Sequence, residues 1–476
     1  MSSLARHRAQ TALSIVIVLA FLVAGCGPAS PAPAATSAPA GETEVAEQAT
    51  APAGETPAAQ EPTAAPQPAK QVTIKMLAMQ QAGLTPDEMD EIAAKFSAAN
   101  PGVKIDITYV AYDALHDKIV TSLSGTTPGY DVFLVDDIWF AGFVKAGWLL
   151  DITDRITPEM REDVFKTDWD VPTVNGRVYG MPWLVDVKHF YYNKDLLAQA
   201  GFNAPPTTWE EMAEMGKKMK DAGLVEYPII WSWAQAEAVI ADFVALLYGN
   251  GGEFFDKDGK PVFNNERGVE VLTWMVKSIE DGISNPSSIS SVEEDVRNVF
   301  SQGKAAFALN WMYMYDLAQN NSQESQITGK VGMALMPVFK RGADEGIKSS
   351  TMNGPMGISI AAKSPNADVA WEWVKFMTSK PIQMEYSAHL MPIWSSCFKE
   401  PDIDALLKVN PSNPVTMPIF SAQVPYAHLR PKVPYYTEAS LAIQLAIQEA
   451  LTKQKTPKQA LDEAVAKILE IQAKQQ

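Results

Sequence analysis

Cysteine and histidine are scarce in this chain: its 476 residues contain two of the first and five of the second. Two cysteines, Cys26 and Cys397, are too few for a disulfide framework and leave stability to the core. His7, His116, His189, His389 and His428 show no metal-ligand spacing, and no serine occupies a nucleophile-elbow pattern, so neither a metal nor any other cofactor is implied. Basic charge is short as well. With 39 Lys and Arg against 56 Asp and Glu, the net charge of −17 excludes the clustered positive surface that nucleic acids require, and reads as a solvated acidic exterior.

A long membrane-spanning run is also missing. The apolar stretch from about Ala12 to Ala24 is too short for a confident span and follows Arg6, His7 and Arg8, so residues 1–25 read as a signal peptide. It closes on "LVAGC", which resembles the bacterial lipobox, in which small residues precede a cysteine that is lipidated. Cys26 is therefore the expected lipidation site, in preference to an ordinary signal peptide cut nearby or an uncleaved anchor. Gly27 follows it, so the aspartate retention signal of some Gram-negative lipoproteins is absent. Once Cys26 is lipidated, Cys397 has no partner. The rest of residues 26–70 is Pro, Ala, Thr, Glu and Gln with almost no large apolar side chain, and cannot bury enough surface to offset its chain entropy. It reads as a disordered, semi-rigid tether holding the following domain off a membrane, on the cell surface or in the periplasm.

Residues 71–476 exceed what one core commonly supports, about 250 to 300 residues, so two lobes with a cleft are expected. "VTIKMLAM" reads as a strand. In "LTPDEMDEIAAKFSAANPG", Thr85, Pro86 and Glu88 make a capped helix start, and Met89, Ile92, Ala93 and Phe96 recur at helical spacing. "VKIDITYV" alternates, "YDALHDKIVTSLSG" returns to helical spacing, and "DVFLV" is a third strand. Repeated strand–helix units predict a mostly parallel sheet covered by helices, with ligands beyond the carboxyl ends of its strands. There "DVFLV" meets Asp136, Asp137 and Trp139, which pair hydrogen-bond acceptors with a flat apolar face. Asp136 is expected to face the cleft; Asp137 faces it too or caps the helix beginning near Ile138; Trp139 lines it or packs beneath the lobe.

The segment "NGRVYGMPWLVDVKHFYYN" turns at Asn175 and Gly176, runs extended through a proline, and then alternates again, as a chain passing between lobes would. Thr208 and Glu211 form a capping box for a Met-rich helix.

The order "YDVFLVDDIW", "GRVYGMPWLVDVKHFYYNKDLL", "PPTTWEEM", "FSQGKAAFALNW", "VGMALMPV", "GISIAAKSPNADVAWEWVKFMTS" and "RPKVPYY" resembles family 1 extracellular solute-binding lipoproteins, the sugar-binding components of bacterial ABC transporters. The likeness covers essentially all of the chain after the tether. It implies an α/β, periplasmic-binding-protein-like class II clamp, two discontinuous α/β lobes joined by a three-segment hinge. By that similarity the crossings lie near Met181 to Trp183, near Met336 to Val338 and just after Leu390, giving lobes of 71–182 plus 338–391 and 183–337 plus 392–476. Carried over to this chain, Asp136 and Asp186 are acids that accept sugar hydroxyls, Trp311 is an aromatic platform, and Arg430 is a basic residue of the cleft wall; Trp183 stands beside Asp186 in the crossing. Where many relatives have a glycine pair followed by Trp, this chain reads "TMNGPMGIS", so Asn353 and Gly354 keep a polar loop without the ring. Trp231 and Trp233 either replace that face or are buried.

A saccharide has apolar C–H faces and a belt of hydroxyls, so it suits rings and carboxylates together. Charged acceptors worth about 1.5 to 3 kcal/mol per hydrogen bond and aromatic contacts worth about 0.5 to 1.5 reach micromolar affinity without any catalytic step. The implied protein is not an enzyme: it is a monomeric sugar receptor that closes on its ligand and delivers it to an ABC permease. A polyamine in a cage of acids and Trp is the alternative solute. A glycosidase using Asp136 and Asp186 is a remote one. The lipid anchor is tested by Cys26→Ser, expected to release the protein from membranes and to change its mature mass; unchanged attachment and mass would remove the assignment.

Overall fold

The computed structural model describes residues 71–80 and 83–475. The signal peptide, Cys26 and the whole tether, residues 1–70, lie outside them.

Alternation shapes the first strands. β1 (Val72–Met79) buries Ile74, Met76 and Ala78 in one core and Leu77 in another. α1 (Pro86–Ala99) opens on a full capping box between Thr85 and Glu88, and lays Met89, Ile92 and Phe96 on the sheet. β2 (Val103–Val110) pairs in parallel with β1, and α2 (Tyr112–Leu123) covers the other face with Leu115, Ile119 and Leu123. β3 (Val132–Asp136) is buried on both faces, which is why it reads as an unbroken apolar run. α3 (Asp137–Lys145) follows without a loop.

The chain continues through β4 (Met181–Leu184), β5 (His189–Asn193), α4 (Trp209–Asp221), β6 (Ile229–Ile230), α5 (Glu237–Gly249) and α6 (Glu266–Glu280). It then forms β7 (Phe307–Asn310), α7 (Tyr313–Asn320), β8 (Val331–Ala334), β9 (Thr351–Met352), β10 (Met356–Ile360), β11 (Ala427–His428), α8 (Tyr436–Leu451) and α9 (Pro457–Gln475). Among the described residues these strands make a five-stranded sheet, β2-β1-β3-β10-β4, a four-stranded sheet, β8-β5-β7-β6, and a parallel pair, β9-β11. Each larger sheet carries its own core. The second packs Phe190, Trp209, Phe243 and Phe307 against Ile443, Ile447, Leu461 and Ile468 of the C-terminal helices.

The expected mostly parallel arrangement holds for β1, β2 and β3, while β10 is antiparallel to β3 and β4, and β5 is antiparallel to β7 and β8. The crossings are the reason. A strand re-entering a sheet from the other body starts at the cleft end, so β10 begins with Met356 opposite Asp136 and runs against β3.

Three segments lie side by side between the bodies. Lys188 N–H donates to the Met352 carbonyl, Gly354 N–H to that of Asp186 and Asn353 N–H to that of His428, each at 3.0 Å. The chain thus passes between the sheets at residues 185–188 and 353–355, with 427–430 alongside. Trp183, expected to open the second lobe, lies in the core of the first. Its neighbour Pro182 looks like a linker signal, but β4 is an edge strand, where a missing N–H is tolerated. Residues 338–352, expected in the first lobe, pack on the second: Phe339 is in its core and Gly342 lies on the Gly249 carbonyl at the end of α5. Leu390 and Ile393 remain in the first core, and Met312, Met391, Cys397, Leu406 and Met417 join the following segment to the second body.

A Cβ at Gly342 would sit well inside van der Waals contact of a backbone oxygen that cannot swing away. Gly342→Ala is expected to lower unfolding free energy by about 1–3 kcal/mol, measured in urea; a neutral effect would show that the 338–352 segment is not clamped to α5.

Candidate functional site

β3 delivers two acids to the cleft end of the first sheet. Asp136, in extended conformation, is the residue that caps α3, accepting the Ile138 amide at 3.5 Å; Asp137, offered as the cap from sequence, is the first residue inside the helix. Both are buried, and Arg430 holds them together: its Nη2 lies 2.7 Å from Asp136 Oδ1 and 2.7 Å from Asp137 Oδ1. The same guanidinium reaches the second body through Nη1, which donates to Glu237 Oε1 at 3.0 Å. Glu237 is the first residue of α5, where the helix N-terminus favours a carboxylate, and Tyr436 Oη donates to it at 2.7 Å. Tyr112 Oη donates to Asp136 Oδ2 at 2.6 Å. Burial pushes the carboxyl pKa of Asp137 well above its usual value, against the pull of Arg430, and raises that of Glu237 in the same way. Asp137 Oδ2 and Arg430 Nε are buried with no hydrogen-bond partner among the described residues.

The second group lies at the crossings. Asp186 accepts the Val187 amide at 2.8 Å and the Met312 amide at 3.0 Å, so it fixes the chain just after Trp311. Trp311 directly follows β7 and is half-buried; its indole N–H donates to Glu293 Oε1 at 3.3 Å, and Lys188 Nζ stands 5.4 Å from the ring centroid. Lys188 is fully buried against Asp242 at 3.0 Å, Glu293 at 3.3 Å and Ser232 Oγ at 2.7 Å. Burial disfavours its charge, but Asp242 and Glu293 outweigh that and raise its pKa. Gly354 lies under the Trp311 edge, where an added Cβ would come within 2.5 Å of Cη2. The neighbouring Asn353 keeps a buried Oδ1 without a partner among the described residues. Pro355 links the two groups, its carbonyl accepting the Asp137 amide at 3.2 Å.

Asp136, Asp137 and Arg430 thus come together, as do Asp186, Trp311, Asn353 and Gly354, around one short stretch of backbone at 353–356. Four predicted residues do not join them. Trp231 and Trp233 are fully buried and stack at 4.9 Å in the second core, with the Trp231 indole donating to Ser284 Oγ. Trp183 is buried in the first core, and Trp139 packs on Tyr112 at 5.6 Å beneath the acids. Large flat side chains next to strands gain most by filling interiors, which is what these do. Tyr112, Lys188, Glu237, Asp242 and Glu293 were missed. A signal was present: Glu237 and Asp242 are the only charges in the apolar helix "EAVIADFVALLYG", and a charge on such a helix is buried with a partner. A groove of about 680 Å³, lined in part by Ala213, Val269, Trp274 and Ile283, shares no residue with this site.

Two α/β bodies joined by adjacent crossings, with polar and aromatic groups facing each other beside them, define a hinged binding protein. Residues 82–384 match the family described as bacterial extracellular solute-binding protein, and the chain belongs to that family, whose members work outside the cytoplasm. A probable ABC transporter-binding protein of Deinococcus radiodurans is 29% identical over 342 residues, 70% of this chain and 77% of the relative. A maltotriose-binding protein of Pyrococcus abyssi is 24% identical over 71% of this chain and 69% of its own. Among solved structures, maltose-bound MalE3 of T. maritima is similar with a TM-score of 0.75 and 29% identity, covering 84% of this chain and 99% of that one. A solute-binding protein of Thermotoga lettingae bound with alpha-D-tagatose is similar with a TM-score of 0.74 and 25% identity, covering 85% and 100%.

Removing Arg430 would leave three buried carboxylates uncompensated. Asp137 and Glu237 have raised pKa values in the folded chain, so their protonated forms favour folding at low pH and that contribution is lost as pH rises. Arg430→Met is therefore expected to cost about 3–5 kcal/mol at neutral pH and less at acid pH, read by urea unfolding at both; an equal loss at the two would show that these carboxylates are not what the guanidinium neutralises.

Proposed function

We propose that this chain is the substrate-binding component of an ABC importer that captures a sugar or oligosaccharide by hinge closure and passes it unchanged to the membrane permease. The observation that carries the reading is the convergence on residues 353–356 of an acidic cluster from the end of β3 and an aromatic ring from the end of β7. The first offers acceptors to hydroxyls and the second a flat face to C–H groups. Relatives that bind maltotriose, maltose or tagatose support the carbohydrate class. In this reading Asp136, Asp137, Asp186, Trp311, Asn353, Gly354 and Arg430 form the wall. The first jaw is built on β1–β4 and β10, and the second on β5–β8 with the C-terminal helices. The protein acts as a monomer, tethered to the cell membrane through lipidated Cys26.

Binding without chemistry fits the hydrogen bonding. Asp136 accepts from Tyr112, Arg430 and a backbone amide, and Asp186 from two backbone amides, so both are already committed as hydrogen-bond acceptors within the fold.

Intrinsic tryptophan fluorescence is to be titrated with maltose, maltotriose, tagatose, ribitol and spermidine. At least one saccharide is expected to bind, with a fall in the radius of gyration by X-ray scattering, and Trp311→Ala is expected to weaken it roughly tenfold. Binding of spermidine alone would transfer the site to polyamines, and saturation without compaction would overturn the clamp.

A further inference from the structure

His389 is a largely buried imidazole with a carboxylate on each nitrogen: Glu88 Oε1 lies 2.9 Å from Nδ1, and Asp316 Oδ2 lies 3.2 Å from Nε2. Glu88 and His389 come from the first body and Asp316 from the second. Glu88 stands in the first turn of α1, held by the Thr85 amide and hydroxyl at 2.8 and 2.9 Å. His389 lies between Tyr386 and Leu390, both in the first core, and its carbonyl would be only 2.9 Å from a Cβ added at Gly83. Asp316 belongs to α7, whose Met314, Tyr315 and Ala318 are in the core of the second body; Ser412 Oγ and Asn320 Nδ2 fix it, each at 2.6 Å. α7 begins two residues after Trp311. Asp316 and His389 therefore sit on different bodies, beside the shared core of Met312 and Met391, and their separation follows any motion of one body against the other at that place.

The two carboxylates bind opposite ring nitrogens and cannot converge on one ion, and among the described residues no group of three such side chains could hold a metal. We propose that Glu88, His389 and Asp316 form a closure clasp, in which Glu88 orients the imidazolium on the first jaw and the ring bonds Asp316 on the second only when the jaws are shut. None of the three is among the residues of the proposed wall. His389 is a positioning residue that adds to affinity by favouring the closed form.

Burial disfavours the charged ring, but its bonds to Asp316 and Glu88 prevail and carry its pKa from 6.5 to about 9. The same bonds lower Glu88 from 4.5 and bring Asp316 from 3.8 to about 2, again against burial. The other charges close by are already paired: Glu91 on α1 and Glu385 on the helix preceding His389 both bind Lys95, at 3.1 and 2.6 Å. The histidine's contribution is complete below its ordinary 6.5 and is lost as pH rises through about 9, while the carboxylates contribute above 4.5 and lose that as pH falls toward 2. Closure is thus strongest in mildly acidic solution and weakens toward alkaline pH.

The ligand-based test rests on the sugar-clamp reading above, so it is paired with one that does not. Titrating the full-length protein with maltose, maltotriose, tagatose and ribitol at pH 6.5 and 9.5, the dissociation constant of whichever binds is expected to rise roughly tenfold in the wild type and to stay level in His389→Gln and Asp316→Asn. Thermal melts check that each variant folds, and Asp316→Asn carries the test if His389→Gln does not. Equal pH profiles in wild type and variants would overturn the clasp while leaving the sugar reading intact. If no saccharide binds, that reading fails, and the clasp is judged by scattering on ligand-free protein: a larger radius of gyration in the variants than in wild type at pH 6.5 supports it, and identical radii overturn it.

Discussion

The site depends on one guanidinium. Arg430 lies buried between two acids at the end of the first sheet and a third at the start of α5, and a charge in that position is tolerable only while its partners stay in reach. That requirement fixes the strand end, the helix start and the 427–430 segment relative to one another. With them it fixes Pro355, whose carbonyl takes the Asp137 amide, and so the height at which Gly354 meets the Trp311 ring.

Lys188 plays the matching part on the other body. Its ammonium joins Asp242, Glu293 and Ser232 behind Trp311 and stands over the ring, while Glu293 holds the indole edge. The aromatic face is therefore held from behind by charge and from beside by a residue with no side chain. A flat, pre-oriented ring loses little freedom when a ligand settles on it, which is how a small site gains affinity. The clasp at His389 lies apart from both clusters and acts on the distance between the bodies that carry them.

Much of the local structure was legible in the residues. Helical spacing placed α1 and α2, and the Thr85–Glu88 box forms as expected. The Thr208–Glu211 box forms only half: the Thr208 hydroxyl caps the Glu211 amide at 3.1 Å, but the Glu211 carboxylate turns to Thr207. The adjacent acids of "VFLVDD" stand at the carboxyl end of a sheet strand, where the strand–helix pattern put them. What misled was residue type read without surroundings. Trp139, Trp183, Trp231 and Trp233 look like platforms yet fill cores, and Pro182 looks like a hinge yet sits on an edge strand.

Sequence alone determined the periodic elements, the pair of acids at the end of β3 and the two-body division, because these follow from spacing, residue type and length along the chain. Tertiary structure decided which acid caps α3, which tryptophan is half open, and which charges stand together: Arg430 with Glu237, 193 residues apart, and His389 with Asp316, 73 apart. Such pairings are set by how two bodies meet across three crossings, and no local pattern encodes a distance between residues that far separated.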